Sequence, residues 1–205
     1  QFIHDRPSSL VFVGLGFRFG HGQAGDVAAL EALGREHGFA VEAIAPVLLG
    51  SEPISSSRVR EALAGGDVAG ARALLGRAYA IDGRVVAGDG RGRTIGVPTA
   101  NLASENEVVP GRGVYAARCR LGAGAWHPAV VNVGQRPTFA GTATTIEAHL
   151  LDYEGDLYGS PLRLAFEARL RDERRFPGPQ ALVAQIRDDI ASARVLLAVP
   201  RDQGV

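Results

Sequence analysis

The pattern of hydrophobic residues changes at Tyr79, and this change most constrains how the chain can fold. Before it, a short apolar run at 9–15 is followed by a helical pattern ending at Gly38 and by a second apolar run at 39–49. After it, short strand-like runs alternate with glycine-containing turns. The first order is typical of a parallel α/β unit, whereas the second is typical of an antiparallel barrel or sandwich.

The amino-terminal portion contains too few strands for a complete doubly wound sheet. Its two strand candidates flank one helix, so we predict a partial Rossmann-like α/β arrangement over residues 1–75. The serines at 55–57 offer an N-cap for a helix that ends at Gly65, and Asp67 caps a further short helix. The chain contains no methionine, which indicates a fragment or a processed chain.

The second portion contains five strand candidates and one carboxy-terminal helix. The strand-like runs begin at Tyr79, Gly113, Trp126, Thr144 and Leu162. After the sequence PGPQ at 177–180, apolar residues recur at helical spacing as far as Leu197. We therefore predict an α+β fold in which an antiparallel barrel or sandwich with a carboxy-terminal helix occupies residues 76–198, followed by a tail at 199–205.

Composition excludes several classes of function. The 22 basic and 22 acidic residues give no net charge that would attract nucleic acid or an anionic membrane, and no apolar run reaches the roughly 18 residues that span a bilayer. We therefore expect neither as a partner. The single cysteine, Cys119, excludes an internal disulfide and is typical of a cytoplasmic protein. All 22 basic residues are arginine, which excludes Schiff-base chemistry and a P-loop lysine.

A glycine-rich segment, GDGRGRTIGVPTAN, occupies residues 88–101. Pro98 lacks an N–H group and biases Val97 away from helical conformation, which argues against the strand-to-helix turn of a dinucleotide-binding fingerprint. Two interpretations stay open: an ordinary hairpin loop, or a loop whose N–H groups hold phosphate. In the second case, Thr99 and Asn101 offer the hard oxygen ligands that suit Mg²⁺.

The run at 144–152 places Glu147 and His149 on one face of a strand, opposite its apolar residues. Glu147 therefore faces either solvent or a polar cleft. The five histidines show no metal-ligand spacing. Arg136 precedes a proline. The sequence is equally compatible with an Arg136 side chain that contacts phosphate and with one that lies at a barrel corner.

Several segments together point to a known family. PTAN lies between the glycine-rich loop and a downstream IEAHLLD, in a stretch that also contains GRGVYAARC, AVVNVGQRPTF and LRDERRF. Over residues 74–194 the chain closely resembles the riboflavin kinase module of bacterial bifunctional riboflavin kinase/FMN adenylyltransferases. The resemblance implies an antiparallel β-barrel of Greek-key type. It also implies Mg²⁺-dependent transfer of phosphate from ATP to riboflavin, with FMN and ADP as products. A flavin- or nucleotide-binding module without turnover, and a piece of a complete FAD synthetase, stay open as alternatives.

The resemblance also implies roles for individual residues. Thr99 and Asn101 match the family's residues that hold Mg²⁺ and phosphate, and Glu147 matches its general base toward the ribityl 5′-hydroxyl. The glycine-rich loop over the ATP phosphates corresponds to Gly88, Gly90, Arg91, Gly92, Arg93 and Gly96. The flavin contacts correspond to Arg171, Glu173 and Phe176. A surface charge run is the alternative for this last segment, and we favour it for Arg174 and Arg175.

The amino-terminal portion resembles the later half of the same family's FMN adenylyltransferase domain through GLGFRFGHGQAGD and ISSSRVREAL. The matching nucleotide-phosphate residues are Ser55, Ser56, Ser57 and Arg58, although an ordinary helix N-cap explains the serines equally well. Gly16 stands where the family carries an acidic or amide residue, and this chain has no counterpart of the family's upstream glycine- and histidine-rich motif. We therefore expect little FMN adenylyltransferase activity from this chain.

Overall fold

The computed structural model of the chain describes residues 9–88, Gly90, Gly92, 95–138 and 141–198, so the predicted tail at 199–205 lies outside the described residues. Contacts divide the chain into two units, Gln1–Ile54 and Ser55–Val205. This boundary differs from the predicted one after residue 75. The reason is that Leu63, Val68 and Ala71, on the two intervening helices, belong to the core of the barrel.

The first unit is a strand, a helix and a strand. Strands β1 (Leu10–Gly14) and β2 (Ala40–Ile44) pair in parallel, with α1 (Val27–His37) between them in the chain. The helix begins where the Ala29 N–H donates to the Asp26 carboxylate at 2.9 Å, and it ends at Gly38 in the left-handed region with φ 81°. A small antiparallel hairpin follows, β3 (Leu48–Leu49) and β4 (Glu52–Pro53). The core of this unit consists of Val13, Leu30 and Phe39.

The second unit begins with two helices and continues as a closed barrel. The helices are α2 (Ser56–Ala64) and α3 (Val68–Leu75). The barrel strands are β5 (Ala80–Val86), β6 (Ala100–Ser104), β7 (Gly113–Leu121), β8 (Trp126–Thr138), β9 (Gly141–Leu150) and β10 (Pro161–Arg171), and the last helix is α4 (Pro179–Leu197). All neighbours are antiparallel, in the order β10-β5-β6-β9-β8-β7. Because β10 returns to lie beside β7 after two hairpins, the topology is a Greek key, and the predicted α+β fold is confirmed.

Strand β6 is the barrel strand that the hydrophobic pattern does not predict. It has only five residues, of which Ala100 and Leu102 are buried, and it begins two residues after Pro98. Such a short run offers too little alternation to be distinguished from a loop. Its pairing with both β5 and β9 brings Thr99 and Asn101 to the barrel wall.

Strand β7 is buried on both faces. Tyr115, Ala117 and Cys119 point into the barrel core, whereas Val114 and Ala116 belong to a second cluster beneath α4. This double burial explains why the sequence of β7 shows little polar alternation. Inside the barrel, Tyr115 meets Phe166 edge to face with ring centroids 5.3 Å apart. Full burial of a large apolar side chain of this kind stabilises the fold by roughly 1.5–3 kcal/mol.

Helix α4 is fixed to the outer wall near its carboxy-terminal end. Ala193 and Leu197 pack with the outward residues of β7 and β8. The Arg118 guanidinium donates to the Leu197 carbonyl at 2.8 Å, which satisfies an acceptor at the negative end of the helix. The Arg194 guanidinium donates hydrogen bonds to the Asp152 carboxylate at 2.7 Å, and these bonds lower the pKa of the Asp152 carboxyl.

The buried Cys119 thiol gives a simple test of the barrel. Its side chain is fully buried, and desolvation raises the pKa of the thiol to about 12, so almost no thiolate exists at pH 8. We expect a colorimetric disulfide reagent at pH 8 to leave the native chain unlabelled and to release one equivalent of thiolate after guanidinium denaturation. Rapid stoichiometric labelling of the native chain would show that this part of the barrel is open.

Candidate active site

One row of side chains runs across the outer wall of five barrel strands. In the strand register, Asn101 lies opposite Glu147, Glu147 opposite Asn132, Asn132 opposite Val114, and Val114 opposite Arg171. Directly opposed residues in antiparallel strands share a face and stand about 4.5–5.5 Å apart. The barrel therefore aligns a carboxylate between two amides, although these residues are far apart in the chain.

This row forms the floor of a cavity of about 650 Å³. The cavity brings together residues from the glycine-rich segment, the β-wall and the first turns of α4. Its apolar lining includes Ile95, Val114, Val130, Phe176, Leu182 and Ile186. The predicted residues that line it are Gly90, Gly92, Thr99, Asn101, Glu147, Arg171, Glu173 and Phe176. A cavity of this size with a few convergent polar groups is typical of a small-molecule site.

Glu147 lies in the wall of this cavity rather than on an open surface. It is half-buried, and its neighbours Ile146 and Ala148 point into the barrel core, as the alternation predicts. Of the two environments that the sequence left open, the structure shows the polar cleft. A carboxylate here can accept a hydrogen bond from a hydroxyl group placed in the cavity.

The glycine-rich segment packs directly against Thr99 and Asn101. A Cβ atom at Gly88 would come closer than 3.0 Å to the Asn101 amide, and one at Gly92 would lie 3.1 Å from the Thr99 hydroxyl and collide with the Val97 carbonyl. Close approach to the Val97 backbone therefore requires glycine at Gly92, whereas the Asn101 side chain can shift to make room at Gly88. Gly90 and Gly96 have positive φ angles, 69° and 77°, which also favour glycine. The predicted residues Arg91 and Arg93 lie outside the described residues.

A second cavity, of about 450 Å³, shares Thr99 with the first. Its lining includes Tyr153, Leu157 and Tyr158 from the segment after β9, together with Val85 of β5. Tyr153 is held by an edge-to-face contact with His127 at 5.2 Å. Thr99 therefore lies where two separate volumes meet.

On the opposite side of the first cavity, Arg171 is held by a buried carboxylate. Asp189 of α4 is 4% exposed and accepts hydrogen bonds from the Arg171 guanidinium at 2.8–3.1 Å. Gln185 donates to the same carboxylate at 2.8 Å. The Arg171 guanidinium lies 5.6 Å from the centre of the Phe176 ring, on which Arg174 also packs at 5.0 Å. This network fixes the aromatic wall of the cavity.

The remaining residues of this segment divide between cavity and surface. Glu173 lines the cavity and accepts hydrogen bonds from Arg112 at 3.1 and 3.3 Å. Arg174 is exposed, and its side chain also lines the cavity and donates a hydrogen bond to Gln185. Arg175 is exposed and is not part of the cavity lining. Arg136 lines the cavity at the end of β8.

Asn132 and Asp189 are among the residues of the site that were not predicted from the sequence. Asn132 sits in the central row because β8 pairs with β9, and strand pairing is not contained in a single strand's periodicity. The sequence could have identified Asp189 as a residue with a buried partner, because it falls within the apolar stripe of α4 that contains Ile186 and Ala193. A carboxylate at such a position requires a partner.

The serine-rich segment does not join this site. Ser55 caps α2 by accepting a hydrogen bond from the Arg58 N–H at 3.3 Å, as an ordinary N-cap does. Neither cavity is lined by Ser55, Ser56, Ser57 or Arg58, all of which the structure describes. Their role in binding a nucleotide stays a prediction.

Within the described part of the chain, no three His, Cys, Asp or Glu side chains come together as a metal site. In the same described residues, no helix is long and apolar enough to cross a membrane.

The fold and the site define a Greek-key barrel protein in which Glu147, flanked by two amides on the outer wall, lines the same cavity as the glycine-rich segment. The sequence profile of the riboflavin kinase family matches residues 75–197, and that of the FAD synthetase family matches residues 2–58. The chain belongs to the riboflavin kinase family.

Curated relatives agree with this assignment, and one solved structure shares the architecture. The bifunctional riboflavin kinase/FMN adenylyltransferase of Escherichia coli K12 is 45% identical over 89% of this chain and 58% of its own length. That of Pseudomonas fluorescens is 43% identical over 91% of this chain and 60% of its own. The crystal structure of a macrolide-efflux protein from Streptococcus pneumoniae matches with a TM-score of 0.80 at 31% identity, over 91% of this chain and 60% of that one. The chain thus spans about three-fifths of these proteins, and structural likeness conveys architecture rather than activity.

Proposed function

We propose that this chain transfers the γ-phosphoryl group of ATP to the 5′-hydroxyl of riboflavin, giving FMN and ADP. The observation that carries the proposal is the position of Glu147 between Asn101 and Asn132, on the floor of a cavity that also contains the glycine-rich loop and Phe176. Family membership supports the same reaction.

The two cavities offer one volume for each substrate. The apolar and aromatic lining around Phe176, Leu182 and Ile186 suits the isoalloxazine ring of riboflavin, and the polar row suits its ribityl chain. The tyrosine-lined cavity suits the flat base of a nucleotide. Because Thr99 lines both, the triphosphate would pass Thr99 and bring its γ-phosphorus toward Glu147.

The reaction needs alignment and charge neutralisation more than a strong base. The ribityl oxygen forms a bond to the γ-phosphorus, the bond from that phosphorus to the β–γ bridging oxygen breaks, and ADP leaves with the bond electrons. The hydroxyl proton passes to the Glu147 carboxylate and then to solvent. Asn101 and Asn132 flank this carboxylate and can orient the substrate hydroxyl and phosphate oxygens.

The donor set fits a magnesium ion bound mainly through substrate phosphates. The Thr99 hydroxyl and the Asn101 amide oxygen are hard oxygen donors lining one cavity, and Mg²⁺ commonly binds one or two protein oxygens while keeping several waters. When bound, the ion would neutralise charge on the transferring phosphate. The protein residues would hold it in place against the glycine-rich loop.

A metal titration tests this part of the proposal. We expect the wild-type chain to convert riboflavin and ATP to FMN only when Mg²⁺ is present, as measured by chromatography with fluorescence detection. Asn101→Ala should raise the Mg²⁺ concentration for half-maximal rate by about tenfold or more, since even residues that merely orient metal ligands contribute that much. Glu105→Gln, at an exposed position just after β6, is the matched control and should leave the titration unchanged.

The outcomes separate the alternatives. Flavin binding without FMN formation would favour a binding module without turnover. An Asn101→Ala titration that coincides with the wild type would remove this residue from the metal site. The expected low FMN adenylyltransferase activity of this chain also stays a prediction, although the match of residues 2–58 supports that activity for the family.

A further inference from the structure

His149 lies where the backbone ladder between β6 and β9 stops. That ladder contains two residue pairs, Asn101 with Glu147 and Ala100 with Ala148. Continued by one step, the register would place Thr99 opposite His149. A hydrogen bond from the His149 side chain takes the place of a Thr99–His149 backbone pair, because His149 Nδ1 lies 2.7 Å from the carbonyl oxygen of Pro98.

The partner of this bond fixes the tautomer of the imidazole. A carbonyl oxygen can only accept a hydrogen bond, so His149 Nδ1 must carry the hydrogen. Nδ1 carries a hydrogen in this neutral tautomer and in the imidazolium form. The bond therefore does not depend on the protonation state of the ring.

The bond also fixes the orientation of Thr99. The Pro98 carbonyl and the Thr99 N–H belong to one rigid peptide plane, and no peptide bond in the described residues is cis. In a trans peptide the two groups point in opposite directions, and the proline ring restricts the preceding dihedral angle. Holding the carbonyl toward β9 therefore directs the Thr99 N–H away from His149 and restrains the residue that lines both cavities.

We propose that His149 is a positioning residue for phosphoryl transfer, acting through the Pro98 carbonyl on the placement of Thr99. This inference rests on the proposed function, since it assigns Thr99 to the path of the triphosphate. Glu147 is placed independently, because the ladders to β6 and β8 hold it directly. Loss of the His149 bond should thus affect the nucleotide more than riboflavin.

Three substitutions separate this role from simple packing. In asparagine, the amide nitrogen is attached to Cγ, as Nδ1 is in histidine, so His149→Asn can still donate to Pro98. In His149→Gln the nitrogen lies one carbon further out, and His149→Ala has no donor. We expect the Gln and Ala variants to lower kcat/KM for ATP by about 10- to 100-fold, because small misplacement of reacting groups has effects of this size. His149→Asn should recover most of the loss.

A double-mutant cycle supplies the decisive measurement. If His149 acts through Thr99, His149→Ala should weaken binding of Mg-ADP, measured by calorimetry, in the wild-type background but have little further effect in Thr99→Ala. Additive effects on Kd, or an Asn variant no better than the Gln variant, would overturn the inference. His37→Asn, on the exposed side of α1, is the control and should change neither Kd nor rate. Absence of FMN formation by the wild-type chain would contradict the proposed function alone, because the Kd values still decide the role of His149.

Discussion

Glu147→Gln is expected to lower kcat for FMN formation by about 10²- to 10⁴-fold, with KM for both substrates changed only a few-fold. The amide keeps the size of the side chain and its place between Asn101 and Asn132, but it cannot accept the hydroxyl proton. Because Glu147 is held by the backbone ladders of β9, the melting temperature should stay close to that of the wild type. Steady-state rates at saturating ATP and riboflavin measure the effect.

The matched control for this substitution is Glu107→Gln, which removes the same charge at an exposed position outside both cavities. It should leave kcat unchanged. If Glu147→Gln retained more than about a tenth of the wild-type kcat, general-base catalysis by this residue would be excluded, since its contribution would fall below the usual range. A rise in KM with unchanged kcat would instead indicate a binding role.

Much of the fold follows from local patterns in the sequence. The alternation in β9 predicts that Glu147 shares a face with His149, and α1 ends at Gly38 as predicted. These features depend on residues within a few positions of one another. For that reason, periodicity and capping are sufficient to predict them.

The site itself depends on pairings between distant strands. Asn132 and Asn101 flank Glu147 only because β8 and β6 both pair with β9, and the hydrophobic pattern does not even predict β6 as a strand. A shift of one residue in either register would turn these amides into the barrel core. The resemblance to a family supplied Asn101, whereas Asn132 required the structure.

The boundary between the two parts of the chain differs from the predicted one for a similar reason. Helices α2 and α3 follow the α/β pattern in sequence, and their capping residues give no information on what their apolar faces contact. Leu63 and Val68, each 1% exposed, are buried with the barrel residues. Tertiary burial, rather than local pattern, thus assigns these helices to the second unit.

Asp189→Ala should be the most destabilising of the substitutions considered, because it leaves the Arg171 guanidinium without its buried counter-charge. Removing one partner of a buried ion pair costs about 3–5 kcal/mol. For a unit of this size that corresponds to a fall in melting temperature of roughly 6–20 °C. Circular dichroism at 222 nm during heating measures the change.

The neighbouring carboxylate provides the control, since Asp188 is exposed on the same turn of α4. Asp188→Ala should leave the melting temperature nearly unchanged.

Replacing both partners, with Arg171→Met and Asp189→Leu, should restore much of the stability but not the aromatic wall, because the guanidinium no longer packs on Phe176. The double variant should therefore fold and yet show a raised KM for riboflavin with KM for ATP unchanged. If its KM for riboflavin equalled that of the wild type, the Arg171–Asp189 pair would serve stability alone, and riboflavin would not depend on the Phe176 side of the cavity.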